Sequence, residues 1–185
     1  MKAPHMLGRT VLIIIILLLH LGLAAQEGNV PPWLVEKAAV YYAETRWPGS
    51  RVVSTTPYYA LDGSLNAWAV QFVKAGCYYE TEQELAVKAA SDDLTRQTGT
   101  VVMAARYDLY PVLEIFDGPA PHIAFAPDVA DLAGEKTGCD GSIARTCYLG
   151  PMFYLMIPSS TQEKSGMATF LVDPRDMKIV EKEAT

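Results

Sequence analysis

Sulfur and imidazole carry most of the reactive chemistry open to this 185-residue chain, and both are scarce. There are three cysteines, Cys77, Cys139 and Cys147, and three histidines, His5, His20 and His122. A thiol beside an imidazole makes a nucleophile with its base. Cys77 with His122 is the pair to weigh, and no local nucleophile signature surrounds either. Cys139 and Cys147 bracket a polar loop, Asp140 to Thr146. In an oxidising compartment that spacing reads as a disulfide. Closing so short a loop stabilises by about 2.5 kcal/mol in the chain-entropy model. Cys77 is then a buried inert thiol, a different partner for Cys139 or Cys147, or a reactive thiol.

Carboxylates offer a second chemistry. Asp128, Asp131 and Glu135 fall at helical spacing, and Asp140 follows. Calcium wants several oxygens, but the Asp-x-Asp-x-Asp-Gly order is absent. An acidic helix start accounts for them equally. Ser159, Ser160 and Thr161 sit in a polar hairpin loop. No glycine-rich phosphate loop and no catalytic carboxylate pair is present. The chain therefore presents no cofactor site, no metal site and no catalytic residue, and it reads as a non-enzyme.

Its first 25 residues decide where that chemistry operates. Lys2 and Arg9 form a basic start, Val11 to Leu21 is apolar apart from His20, and Gly22, Leu23, Ala24 and Ala25 follow. Basic, then apolar, then small is the order of a secretory signal. Cleavage after Ala24 uses Gly22 and Ala24 as the small pair; cleavage after Ala25 exposes Gln26. The apolar run falls short of the roughly 20 residues a spanning helix needs, and an uncleaved anchor is the alternative. The expected organisation is a signal over 1–25 and one domain over 26–185, periplasmic or secreted, with no membrane contact after cleavage. His5 and His20 leave with the signal, so His122 alone remains for ligation or catalysis. The net charge of −6 deepens to −8, 13 basic against 21 acidic residues, because Lys2 and Arg9 also leave. Such a balance argues against nucleic acid as a partner.

The elements that must position these groups are legible from periodicity. Pro31 and Pro32 open a helix, where a missing N–H costs nothing. Its apolar stripe is Leu34, Ala38, Tyr41, Tyr42 and Thr45, and Trp47-Pro48-Gly49 ends it. Residues 51–61 and 65–74 alternate as strands around the Asp62-Gly63 turn. In the second, Trp68, Val70 and Phe72 share one face, and Ala67, Ala69 and Val73 the other. Thr81-x-x-Glu84 is a capping box, opening a helix that buries Leu85, Ala86, Ala89, Ala90 and Leu94 and ends near Gly99. Strands follow over 100–107 and 112–116. Residues 126–146 are poorly periodic, with a short helix at Val129 to Leu132. Further strands are expected over 148–157, 167–172 and 177–181. This order predicts an α+β domain, a mainly antiparallel sheet packed with two helices on one side. No internal repeat is visible in the letters. Three tandem pairs, Tyr41-Tyr42, Tyr58-Tyr59 and Tyr78-Tyr79, are expected to bury one ring and display the other; displayed tyrosines favour protein contact.

Gly99, Val101, Val102, Ala104, Ala105, Arg106, Pro111, Val112, Leu113, Asp117 and Gly118 resemble a segment of streptopain-type propeptides and their stand-alone inhibitor relatives. Leu171 to Val180 resembles the closing hairpin of PepSY-type domains. The likeness covers about half of the 160 residues after the signal; Cys139, Cys147 and the helix from Thr81 lie outside it. No peptidase sequence follows, so action in cis is not expected. The resemblance implies an exported, non-catalytic module that binds a protein or peptide partner, as a protease inhibitor or an envelope chaperone-like protein. The alternative is a small-ligand-binding or enzymatic domain with a pocket between sheet and helices.

Overall fold

The computed structural model describes residues 28–89, 92–137, 143–158 and 171–180. They form five helices and eight strands. In chain order these are α1 (Pro32–Arg46), β1 (Arg51–Tyr59), β2 (Leu65–Val73), α2 (Glu82–Val87), α3 (Asp92–Gln97), β3 (Thr98–Ala104) and β4 (Val112–Asp117). They continue with α4 (Pro121–Ala124), α5 (Ala126–Thr137), β5 (Ile143–Gly150), β6 (Phe153–Pro158), β7 (Leu171–Asp173) and β8 (Lys178–Val180).

All eight strands join one sheet in the order β4-β3-β2-β1-β5-β6-β7-β8. Every neighbouring pair is antiparallel except β1 with β5, which are parallel. The α+β class and the mainly antiparallel sheet are therefore as the sequence predicts. The helices, however, divide between both faces. Val35, Ala39 and Ala43 of α1 pack with Val70, Phe72, Val101 and Met103 on one face. Leu85, Leu94 and Ile123 of the short helices pack with Ala67, Ala69, Val73 and Val102 on the other. Val129 of α5 packs with Met156, which shares the second face with Tyr154.

The strand order makes two like halves. α1 precedes the meander β1–β4, α5 precedes the meander β5–β8, and the helices take opposite faces. A half-turn about an axis along the strands relates such halves and leaves the central pair parallel, as observed.

The sheet is strongly curled at one end. Glu114 on β4 accepts from Tyr154 Oη on β6 at 2.5 Å, although four strands separate them in the sheet. In a flat sheet those strands would stand about 24 Å apart. Small residues on the inner face, Ala67 and Ala69, give the curl room.

Four sequence expectations are corrected. The buried stripe of α1 is Val35, Ala39 and Ala43, whereas Tyr41 and Thr45 are exposed; the alanines let helix and sheet approach closely. The helix expected from Thr81 to Gly99 is two, α2 and α3. Residues 126–137 form a full helix. The strand expected over 148–157 is instead a hairpin, because Gly150 (φ 144°) and Met152 (φ 57°) turn the chain.

Candidate functional site

β1 and β5 pair at a single position, Tyr59 with Cys147. Upstream of it the two strands form no ladder, and Pro57 has no N–H to offer one. A cleft of 430 Å³ occupies the gap. Its walls are Thr56, Pro57 and Tyr59 from β1 and residues 143–146 from β5. Glu82, Gln83 and Ala86 of α2, with His122, Ile123 and Ala126, complete it from the helical side.

Local sequence places each polar group. Thr81 caps α2, accepting from the Glu84 N–H at 3.3 Å, and so sets Glu82 in the first turn. Glu84 returns its carboxylate to the Glu80 N–H at 2.8 Å, one residue earlier than a standard box. Gln71, wholly buried, fixes α4. Its Oε1 accepts from the Ala120 N–H at 2.6 Å, while its Nε2 donates to Gly99 O at 2.9 Å and Phe72 O at 3.0 Å. One β2 side chain thus ties β3 to the loop that presents His122.

His122 stands between Tyr58 and Glu82. Its side chain is 7 % exposed and that of Glu82 35 %. Tyr58 Oη lies 2.7 Å from Nδ1. Burial pushes the phenol well above its ordinary range, so it stays protonated, and the Glu82 carboxylate facing Nε2 leaves Nδ1 for the phenol to donate to. Nδ1 then accepts, and the ring proton sits on Nε2. Nε2 lies 3.2 Å from Glu82 Oε1. The imidazole pulls the Glu82 carboxyl down to about 2 against the effect of burial. Glu82 Oε2 also accepts from Thr56 Oγ1 at 3.3 Å.

Behind this line the tyrosines continue. Tyr58 meets Tyr154 edge to face at 5.8 Å, and Tyr154 meets Tyr148 at 5.5 Å. Burial, reinforced by the Glu114 carboxylate, raises both phenols, Tyr148 and Tyr154. Both therefore stay protonated and donate to Glu114. On the opposite rim Arg145 lies over the Tyr59 ring, 5.3 Å from its centre. Among the described residues Arg145 has no ion pair.

Of the residues singled out from sequence, His122 enters the site, with partners other than Cys77. Cys77 packs against the core around Val73 and Leu85. Cys147 is buried on β5 beside Tyr59; Cys139, Asp140, Ala24, Ala25 and Ser159 to Thr161 lie outside the described residues. Asp128, Asp131 and Glu135 are exposed along α5. No tyrosine pair splits fully into buried and displayed: Tyr41 and Tyr78 are displayed beside half-buried Tyr42 and Tyr79, and Tyr58 is in the core beside a half-buried Tyr59. Glu82, Thr56 and Arg145 escaped the sequence reading, since a charge on a short helix or a strand looks like solvated surface. Among the described residues no group of three His, Cys, Asp or Glu side chains is placed to hold a metal. No helix there is long and apolar enough to cross a membrane. Comparison with protein-family models, curated proteins and solved structures found no match.

Proposed function

We propose that the chain is an exported, non-catalytic binding module that holds a peptide segment of a protein partner in the cleft between β1 and β5. The observation that carries this reading is the open seam at the centre of the sheet. Strand edges there have backbone groups free of a ladder, and an extended peptide can take them up as an added strand. The cleft mixes apolar walls with a few converging polar groups, as binding sites do. Both nitrogens of His122 face fixed neighbours, and the hydroxyl that joins them, Tyr58 Oη, is wholly buried and held protonated, which favours binding over catalysis. Inhibition of a peptidase, or a chaperone-like role in the envelope, would use such a slot. Export and its companion, a Cys139–Cys147 disulfide, belong to the same reading; mass spectrometry of the unreduced protein should find the linked peptides, and two free thiols would refute the pairing.

Capture of randomised displayed peptides by the purified protein tests the cleft. Binding should disappear in Ala144→Phe, which fills the gap on a strand that tolerates aromatics, with circular dichroism confirming the fold. Peptide binding that survives the filled cleft would overturn the assignment. A second reading, a small polar ligand, is favoured by the cleft's volume; it predicts that free amino acids or sugars raise the melting temperature while peptides do not.

A further inference from the structure

The cleft is a wedge with a closed end. β1 and β5 are parallel and meet only at Tyr59 and Cys147, towards their C-terminal ends. Arg145 belongs to that end: its guanidinium lies over Tyr59 and reaches the β1–β2 turn, with Nη1 3.4 Å from where a Cβ on Gly63 would stand. A chain that enters the wedge from its open end must stop there, in front of a cation that has no ion pair among the described residues. What a stopping chain carries is a carboxylate.

We propose that the cleft reads the free C-terminus of an extended peptide, with Arg145 as the carboxylate receptor. This rests on the reading of the cleft as a peptide site. The peptide would run parallel to both β1 and β5, its last residue at the closed end. Guanidinium is suited to the task because its planar fork matches a carboxylate at two points. The Tyr59 ring beneath it holds the fork in place at little entropic cost. The cleft's other charge is already engaged: Glu82 is taken up by His122 and Thr56.

The test uses the full-length protein and two acetylated, randomised hexapeptide pools, one with free C-terminal carboxylates and one amidated. Affinity capture with mass-spectrometric readout compares them. Loss of a charge-assisted bidentate pair predicts that the amidated pool is retained at least about tenfold less. Arg145→Gln, an exposed position whose fold is checked by circular dichroism, should erase the preference while leaving residual binding of both pools. Arg145→Lys should keep part of it. Equal retention of acid and amide by the unaltered protein would overturn the carboxylate assignment and leave the peptide site standing. Retention of neither pool would overturn both.

Discussion

Tyr58 Oη donates to Nδ1 of His122 across 2.7 Å, and the rings meet edge to face at 5.5 Å with the phenol wholly buried. A buried donor–acceptor pair of this kind gains little when made and loses much when broken, because the survivor stays dry and unpaired. Tyr58→Phe should therefore cost about 1–3 kcal/mol in urea denaturation. Nitrogen-15 NMR should place the His122 proton on Nε2 in the parent and show a mixed tautomer in the variant. An unchanged midpoint and spectrum would refute the bond.

Glu82 makes stability depend on acid. Its folded pKa, about 2, lies below the ordinary value of 4.5. A lowered carboxyl pKa stabilises fully above the unfolded value and loses that contribution as pH falls from about 4.5 towards 2. Because Glu82 is partly exposed, screening reduces the effect to about 1 kcal/mol. Glu82→Gln should flatten the stability profile in that window and leave its shape between pH 5 and pH 7 nearly intact. A variant with the parent's acid limb would contradict the pairing.

Gln71 satisfies three backbone groups of β2, β3 and the loop before α4 from one buried side chain. Gln71→Leu keeps the size and removes the partners, so it should destabilise by about 2–4 kcal/mol. The His122 resonances should shift as well, since the bond to Ala120 fixes the helix that carries it. Stability within a few tenths of the parent's would show that the loop stands without Gln71.

Gly99 supports Trp47. A Cβ at 99 would stand 2.5 Å from the indole, and Trp47 Nε1 donates to Asp117 Oδ1 at 2.9 Å. Gly99→Ala must displace the ring or the strand, at about 1–3 kcal/mol. Tryptophan fluorescence should report a wetter indole. Gly28, whose added Cβ would touch nothing, is the control.

Much of the architecture is written in periodicity. The two faces of β2 and the boundaries of α1 follow from alternation and proline placement, whereas β3 begins and ends two to three residues earlier than its apolar run suggests. What escaped reading has definite causes. The α1 stripe runs over alanines, whose small size marks close packing but adds little hydrophobic signal. Gly150-Pro151 is a two-residue turn signal inside an otherwise strand-like run, too short to break the apolar pattern that reads as one strand. The site was less legible than the fold. His122 stands out by scarcity, but its neighbours Glu82 and Tyr58 lie 40 and 64 positions upstream, and it takes the packing of α2 and of the Gln71-held α4 on the sheet to bring them together. Arg145 looked like one more soluble charge until the Tyr59 ring beneath it and the closed seam gave it a direction.

The single pair joining the halves also bears on how the molecule moves. One bridge is too little backbone to make eight strands behave as one body. Cohesion must come from side chains that cross the joint: Tyr58 against Tyr154, Glu114 holding Tyr148 and Tyr154, and Asn66 Nδ2 donating to Tyr148 O at 2.8 Å. These gather at the curled end, and among the described residues no backbone ladder joins β1 to β5 at the other. The sheet is thus fastened at the aromatic end by side chains rather than by backbone, and on the proposed peptide reading a guest strand laid in the open seam would turn two halves joined by one bridge into a continuous nine-stranded whole.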